Sequence, residues 1–250
     1  MSQRTYGFLL ALFATAFAGS AALLLWYGVK SHRQGAVYGQ LAAAVQRADP
    51  TQTQAGEETP LDDYRALFQE NPDMVGWIRI DGTDIDYPVV QRADEPNYYL
   101  KHDFAGRCTD FGCPFAQANC DVQAPSDNVI LYGHNMKDGS MFSDLVRYQN
   151  RSFWETHRTI CFDTLTRRGE YEVLAVCRIP ADALAFHRFV DAADAKDFAA
   201  YVAACKELAL YDTGVNAQYG DKLLTLSTCE YSRENGRLLV VAKRRDGEKP

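Results

Sequence analysis

Cys229, His134 and Arg237 are the residues whose types and placement could do chemistry together. Cys229 ends the run Lys222-Leu-Leu-Thr-Leu-Ser-Thr-Cys229, and Arg237 opens the next, Arg237-Leu-Leu-Val-Val-Ala-Lys243. Upstream, Asn128-Val-Ile-Leu-Tyr-Gly-His134 breaks at Gly133 and presents an imidazole. A thiol can attack a carbonyl carbon, form a thioester and release an amine. It needs some thiolate, a proton for the departing amine and a positive group for the oxyanion. Cys229, His134 and Arg237 could supply these in that order. Each also has a plainer reading. A cysteine at a strand end is often structural, an arginine is often a solvated charge, and a histidine after glycine can be a turn residue. The other histidines suit the role less: His102 follows an aromatic run, His157 ends a helix-like stretch, His187 lies in a loop and His32 follows the apolar N-terminal segment.

The elements that must position these groups read mainly as β. Val75–Ile80 and Ile85–Val90 flank Asp81-Gly82-Thr83-Asp84, a hairpin signature, and Pro88 places the second strand on an edge or at an irregularity. Cys113–Gln117 is a weak strand and Val129–Tyr132 a strong one. Thr159–Thr164 and Glu170–Arg178 form a second hairpin through Arg167-Arg-Gly169, and the runs ending at Cys229 and opening at Arg237 form the last. Seven or eight short strands with few helices indicate a closed or nearly closed barrel. Leu61–Gln69, Met141–Leu145 and Arg151–His157 read as short helices. Ala193–Leu210 is a longer amphipathic one, with Phe198, Tyr201, Val202, Cys205 and Leu208 on one face, inserted between strands. Alternation places Ser227 and Cys229 on one side of their strand, and Leu226 and Thr228 on the other. The polar turn Glu230–Gly236 can fold Arg237 back toward Cys229.

Composition is that of a globular protein, and a net charge of −7 argues against a general nucleic-acid binder. Gly7–Val29 is 23 residues without a charge, against the roughly 20 that a helix needs to cross a bilayer core. Ala16-Phe-Ala18 offers a small-x-small cleavage site, but the apolar run continues past it to Leu25. The expected organisation is a transmembrane signal-anchor over residues 1–30, a helical and then flexible spacer over 31–60, and a catalytic domain over 61–250. The local Lys and Arg count does not set an N-in orientation. Large following domains, however, translocate largely regardless of charge.

Seven cysteines leave at least one unpaired. Cys161 and Cys177 read as small buried hydrophobes. Cys108, Cys113 and Cys120 cluster in one segment; with His102 they invite a zinc reading, but Cys-x4-Cys-x6-Cys is not a usual knuckle spacing. A disulfide within the cluster is the alternative. No acidic cluster demands a metal, and no cofactor is expected.

Thr225-Leu-Ser-Thr-Cys229, Tyr132-Gly-His134 and Gly236-Arg-Leu-Leu-Val-Val-Ala-Lys243 together resemble the sortases, membrane-anchored cysteine transpeptidases of Gram-positive bacteria. Val75-Gly-Trp-Ile78, Asn97-Tyr-Tyr-Leu100, Tyr132-Gly-His-Asn-Met136 followed by Met141-Phe142, Leu226-Ser-Thr-Cys-Glu230 and the helix before the cysteine strand resemble class B in particular. The resemblance covers about Leu61 to Arg245 in family order. It implies an eight-stranded sortase-type β-barrel with N-terminal helices. It also implies Cys229 as nucleophile, His134 as general acid/base and Arg237 as oxyanion or substrate clamp. Asn97, Tyr132, Ser227 and Glu230 match substrate-groove positions; the loop around Ala185 and Phe186 is expected to form the groove wall, although its sequence departs from the family pattern. The turn between Cys229 and Arg237 is shorter than the pattern, so Arg233 is a second clamp candidate.

The implied activity is cleavage of a surface protein's C-terminal sorting signal, often Asn-Pro-x-Thr, after the threonine. The acyl group then passes to an amine of a peptidoglycan precursor. The implied location is the cell membrane, N-terminus cytoplasmic and catalytic domain outside. Rival readings are a pilin-polymerising sortase, a secreted cysteine protease that hydrolyses, and a membrane-tethered non-catalytic barrel.

Overall fold

Short apolar runs bounded by turns produce eight strands, and their pairing leaves no open edge. In the computed structural model, which describes residues 3–45, 62–180, 188–232 and 235–245, the strands are β1 (Met74–Arg79), β2 (Asp86–Val90), β3 (Phe115–Ala116), β4 (Asn128–Tyr132), β5 (Thr159–Thr164), β6 (Glu170–Pro180), β7 (Leu223–Glu230) and β8 (Gly236–Arg244). They close into a barrel in the order β1-β2-β3-β4-β7-β8-β6-β5. The β2–β3 and β4–β7 pairs are parallel and the other six antiparallel. The eight-stranded barrel is the expected fold.

Pro88 shows how the barrel tolerates a residue with no amide proton. It pairs with Trp77 of β1, and its carbonyl faces the Cys113 thiol at 3.7 Å on the β3 side. In a strand a residue's nitrogen and carbonyl point the same way. There β2 meets β3 at the single pair Val90–Phe115, so no ladder bond is lost.

The N-terminal helix α1 (Gln3–Ala44) carries an exposed apolar stretch of mean hydropathy 2.2, long enough to cross a membrane. The Lys30 ammonium lies 5.3 Å from the centre of the Trp26 ring. The helix does not stop at residue 30 but continues to Ala44; residues 46–61, where the rest of the expected spacer falls, lie outside the described residues. The chain divides into two compact units after Gln40, and the barrel belongs wholly to the second.

Within that second unit, α2 (Asp62–Glu70) docks on β1 and β5. Tyr64 stacks on Trp77 with ring centres 6.0 Å apart and donates a 2.7 Å hydrogen bond to Asp163. Besides α3 (Arg151–Thr156), the remaining α-helix among the described residues is α4 (Ala195–Glu207), between β6 and β7 as expected. Asp194 caps it, accepting from the Lys196 and Asp197 N–H groups, so it starts two residues later than the periodicity predicts. It also ends earlier: Leu208, expected on the apolar face, is its C-cap and 40% exposed.

The position of α4 decides where a cleft can lie. Phe198, Tyr201, Val202 and Cys205 pack against Ile130, Leu223, Leu239 and Val241. A barrel this small is filled by side chains, so the face bearing a helix is the outer one. The same outward rows continue past the helix: register pairs Ile130 with Thr225 and Val241, then Tyr132 with Ser227 and Leu239, and finally Cys229 with Arg237. Leu224, Leu226, Leu238 and Val240 alternate with these and fill the interior. At the junction the buried Asn128 accepts from Thr225 Oγ1 at 2.8 Å and donates to the Phe189 carbonyl at 2.9 Å.

Candidate active site

Cys229 and Arg237 come together through local structure. β7 and β8 are antiparallel neighbours, and their register sets Cys229 directly across from Arg237. Both are half-buried at the same end of the barrel, and Arg237 Nη1 donates to the Gly236 carbonyl at 3.1 Å. The turn thus folds Arg237 back toward Cys229 as expected. Arg233, the second clamp candidate, lies outside the described residues.

His134 arrives by a long-range pairing. β4 runs parallel to β7, and its last residue, Tyr132, pairs with Ser227. Three hydrogen bonds then tie the residues around His134 to those around Cys229. Gly133 N–H donates to the Ser227 carbonyl at 3.2 Å, Thr228 Oγ1 to the Gly133 carbonyl at 2.8 Å, and Asn135 Nδ2 to the Cys229 carbonyl at 2.9 Å. A Cβ on Gly133 would stand 2.5 Å from the Phe142 ring, so only glycine lets the chain turn there.

The imidazole has a defined tautomer. His134 Nε2 lies 2.9 Å from the Leu100 carbonyl, which can only accept, so Nε2 carries a proton. That leaves Nδ1 as the nitrogen without this hydrogen bond. Behind the ring sits Gly112, at φ +64°; a Cβ there would come 2.5 Å from the Tyr99 carbonyl and 3.2 Å from His134 Cδ2. Gly112→Ala is expected to push the Tyr99–Leu100 carbonyls and the imidazole off position. It should cost about tenfold to a hundredfold in kcat with little change in KM, the usual effect of a displacement of about 1 Å. Steady-state kinetics beside a thermal melt checks this.

The expected groove residues divide. Tyr132 and Ser227 lie side by side on the face that carries Cys229. Burial chiefly, with the Cys120 thiol adding, pushes the Tyr132 phenol up to about 12 against the opposing Arg237 guanidinium. It stays protonated and donates to Gln117 Oε1 at 2.6 Å. Ser227 Oγ is buried with no hydrogen-bond partner among the described residues. Asn97 is exposed and precedes the 3-10 turn Tyr98–Leu100 whose last carbonyl holds His134. Glu230 is different: it is 6% exposed, its carboxylate accepts from Ser232 N–H and Oγ at 3.0 and 2.6 Å, and alternation sets it on the opposite side of β7 from Cys229. The loop holding Ala185 and Phe186 lies outside the described residues.

All seven cysteines are free thiols. Cys108 is exposed, while Cys113 and Cys120 are buried with their thiols 3.7 and 3.6 Å from the Pro88 and Asn128 carbonyls. Burial raises the Cys120 thiol to about 11. His102 stacks on Tyr98 and its Nδ1 meets the Tyr98 carbonyl at 2.8 Å. No group of three or more metal-ligating side chains occurs among the described residues.

Four contributors to the site are given no role by the sequence analysis, although Leu100 and Asn135 stand inside motifs quoted there: Leu100, Gly112, Asn135 and Tyr231. Leu100 acts through a backbone carbonyl, which no residue type marks. Asn135 follows the histidine, and only the β4–β7 pairing brings it to Cys229. Tyr231 reaches the same loop, its hydroxyl donating to the Asn135 carbonyl at 3.0 Å.

A thiol, an imidazole with one free nitrogen and a guanidinium, at one end of a barrel, match the needs of acyl transfer through a thioester. Comparison with known proteins points the same way. A family model described as the Sortase domain matches residues 78–245. Sortase B of Listeria monocytogenes is 34% identical over 204 residues, 81% of this chain and 81% of that protein. Sortase B of Staphylococcus aureus is 32% identical over 182 residues, 72% of this chain and 73% of that one. The crystal structure of sortase B from Bacillus anthracis in complex with AAEK2 superposes with a TM-score of 0.78 at 32% identity, covering 87% of this chain and 98% of its own.

Proposed function

Since the chain belongs to the sortase family, with sortase B proteins as its relatives, we propose that this cysteine transpeptidase works through Cys229, His134 and Arg237. Its substrates in this reading are surface proteins ending in an Asn-Pro-x-Thr sorting signal, and its acceptor is an amine of a peptidoglycan precursor. The observation that carries the residue assignment is the Cys229–Arg237 register pair, with the His134 loop tied to the same strand end.

The Cys229 thiolate attacks the threonine carbonyl carbon, and the oxygen takes up the negative charge beside the Arg237 guanidinium. As the C–N bond breaks, the protonated Nδ1 of His134 gives its proton to the leaving amine. A thioester remains. The acceptor amine attacks it, Nδ1 takes the amine's proton, and the thiolate leaves. Throughout, Nε2–H stays on the Leu100 carbonyl and keeps the ring oriented. An extended peptide along Tyr132 and Ser227 would give Ser227 Oγ the partner it lacks, which would offset the cost of leaving it unpaired. Asn97 and Glu230 complete the proposed groove set, with Glu230 acting through the turn rather than by direct projection.

In this reading α1 anchors the enzyme, its N-terminus cytoplasmic and residues 61–250 outside as the catalytic domain. The test uses the soluble domain with an Asn-Pro-Gln-Thr-Asn peptide, with and without triglycine or diaminopimelate, followed by mass spectrometry. The expected result is an acyl adduct on Cys229 and an amine-extended product. Reaction with a Leu-Pro-x-Thr-Gly peptide alone would overturn the proposed signal; hydrolysis without transfer would favour the protease reading.

A further inference from the structure

The linkage between the two reacting groups is denser than strand pairing requires. The β7 end and the loop after β4 lie far apart in the chain, yet Asn135 and Tyr231 join them in series. Asn135 Nδ2 donates to the carbonyl of Cys229 itself at 2.9 Å. Tyr231, two residues past the nucleophile, returns its hydroxyl to the carbonyl of Asn135, the residue after His134, at 3.0 Å. The loop bearing His134 is thus held from both sides. It is also closed on its far flank by the Phe142 N–H, which donates to the His134 carbonyl at 2.8 Å.

Tyr231 is not placed by burial. It is 71% exposed, so packing does not explain its position, and its hydroxyl bond is an ordering contact at the mouth of the site. Its phenol is raised by partial burial and by the Cys229 thiol, and lowered by the Arg237 guanidinium, so it lies within the electrostatic reach of both. It therefore holds its proton at neutral pH and can donate to Asn135 but not act as a base there.

We propose that Asn135 and Tyr231 form a clasp of positioning residues that sets the approach of His134 Nδ1 to the Cys229 thiol, and so the fraction of the paired thiolate–imidazolium. Neither exchanges a proton with substrate. The proposal rests on the assignment of Cys229 and His134 above.

Tyr231→Phe removes one hydroxyl from an exposed ring, and Asn135→Ala removes the donor to Cys229 while leaving its own carbonyl in place. The experiment measures kcat and KM for the peptide, thermal melts, and the pH dependence of Cys229 alkylation by iodoacetamide, in the wild-type and His134→Ala backgrounds. Expected are kcat losses of about fivefold for Tyr231→Phe and about tenfold for Asn135→Ala, with KM within twofold and a displaced alkylation profile in both. In the His134→Ala background neither substitution should move the profile further. Unchanged kcat and profile would overturn the clasp. So would a rise in KM alone, which would make Tyr231 a substrate contact, or an effect that persists undiminished without His134. If His134→Ala and Cys229→Ala themselves retained activity, the underlying assignment would fail instead, and the two failures are thereby distinguished.

Discussion

Cys229→Ala is expected to abolish turnover while leaving the fold intact. The residue's structural work is done by its backbone: it sits in the β7–β8 ladder and its carbonyl accepts from Asn135. Its side chain is half-buried at a strand end rather than packed in a core, so alanine leaves little cavity. The chemical loss is of another order, because the thioester cannot form; removal of a catalytic nucleophile can cost roughly 10⁶-fold in kcat. The check is intact-protein mass spectrometry after incubation with peptide, alongside a thermal melt. An adduct that survives in the alanine variant would move the nucleophile to another thiol, with the exposed Cys108 and half-buried Cys161 the ones to map first.

Arg237→Ala should lower kcat by about 10²–10³-fold with a smaller effect on KM, the signature of a group that acts on charge present mainly in the transition state. Arg237→Lys should recover little. A planar guanidinium offers two donors in a fixed fork, whereas an ammonium on a flexible stem is a point charge that the strand register does not aim. The site supports this reading: Arg237 lies opposite Cys229, and its positive charge works on the phenols of both Tyr132 and Tyr231. A rise in KM with kcat unchanged in Arg237→Ala would instead make it a ground-state substrate clamp. Arg233→Ala belongs in the same series: if it carries the larger kcat loss, the role passes to Arg233.

Much of the site was legible in the sequence because two of its three groups are joined by a hairpin. A polar turn between two apolar strands brings Cys229 and Arg237 face to face whatever the rest of the molecule does, and alternation places Ser227 beside them. Where the sequence analysis was inexact, a local competitor decided. Asp194 captured the first N–H groups of α4 and set its start. The Glu230 carboxylate folds onto Ser232, on the opposite side of β7 from Cys229, because successive strand residues face opposite ways.

By itself, then, the sequence determined the strand set, the apolar N-terminal helix, the inserted helix and the identities of thiol, imidazole and guanidinium, since each is written in residue type and period over a few neighbours. Tertiary structure alone decided that the loop bearing the imidazole lies beside the strand end bearing the thiol. That placement depends on β4 and β7 pairing in parallel, on bonds such as Asn135 to Cys229 that span 94 residues, on the Leu100 carbonyl selecting the tautomer and on the space that Gly112 leaves behind the ring. Such groups leave no periodic trace, because a backbone carbonyl belongs to every residue and an absent Cβ matters only where something else has packed against it.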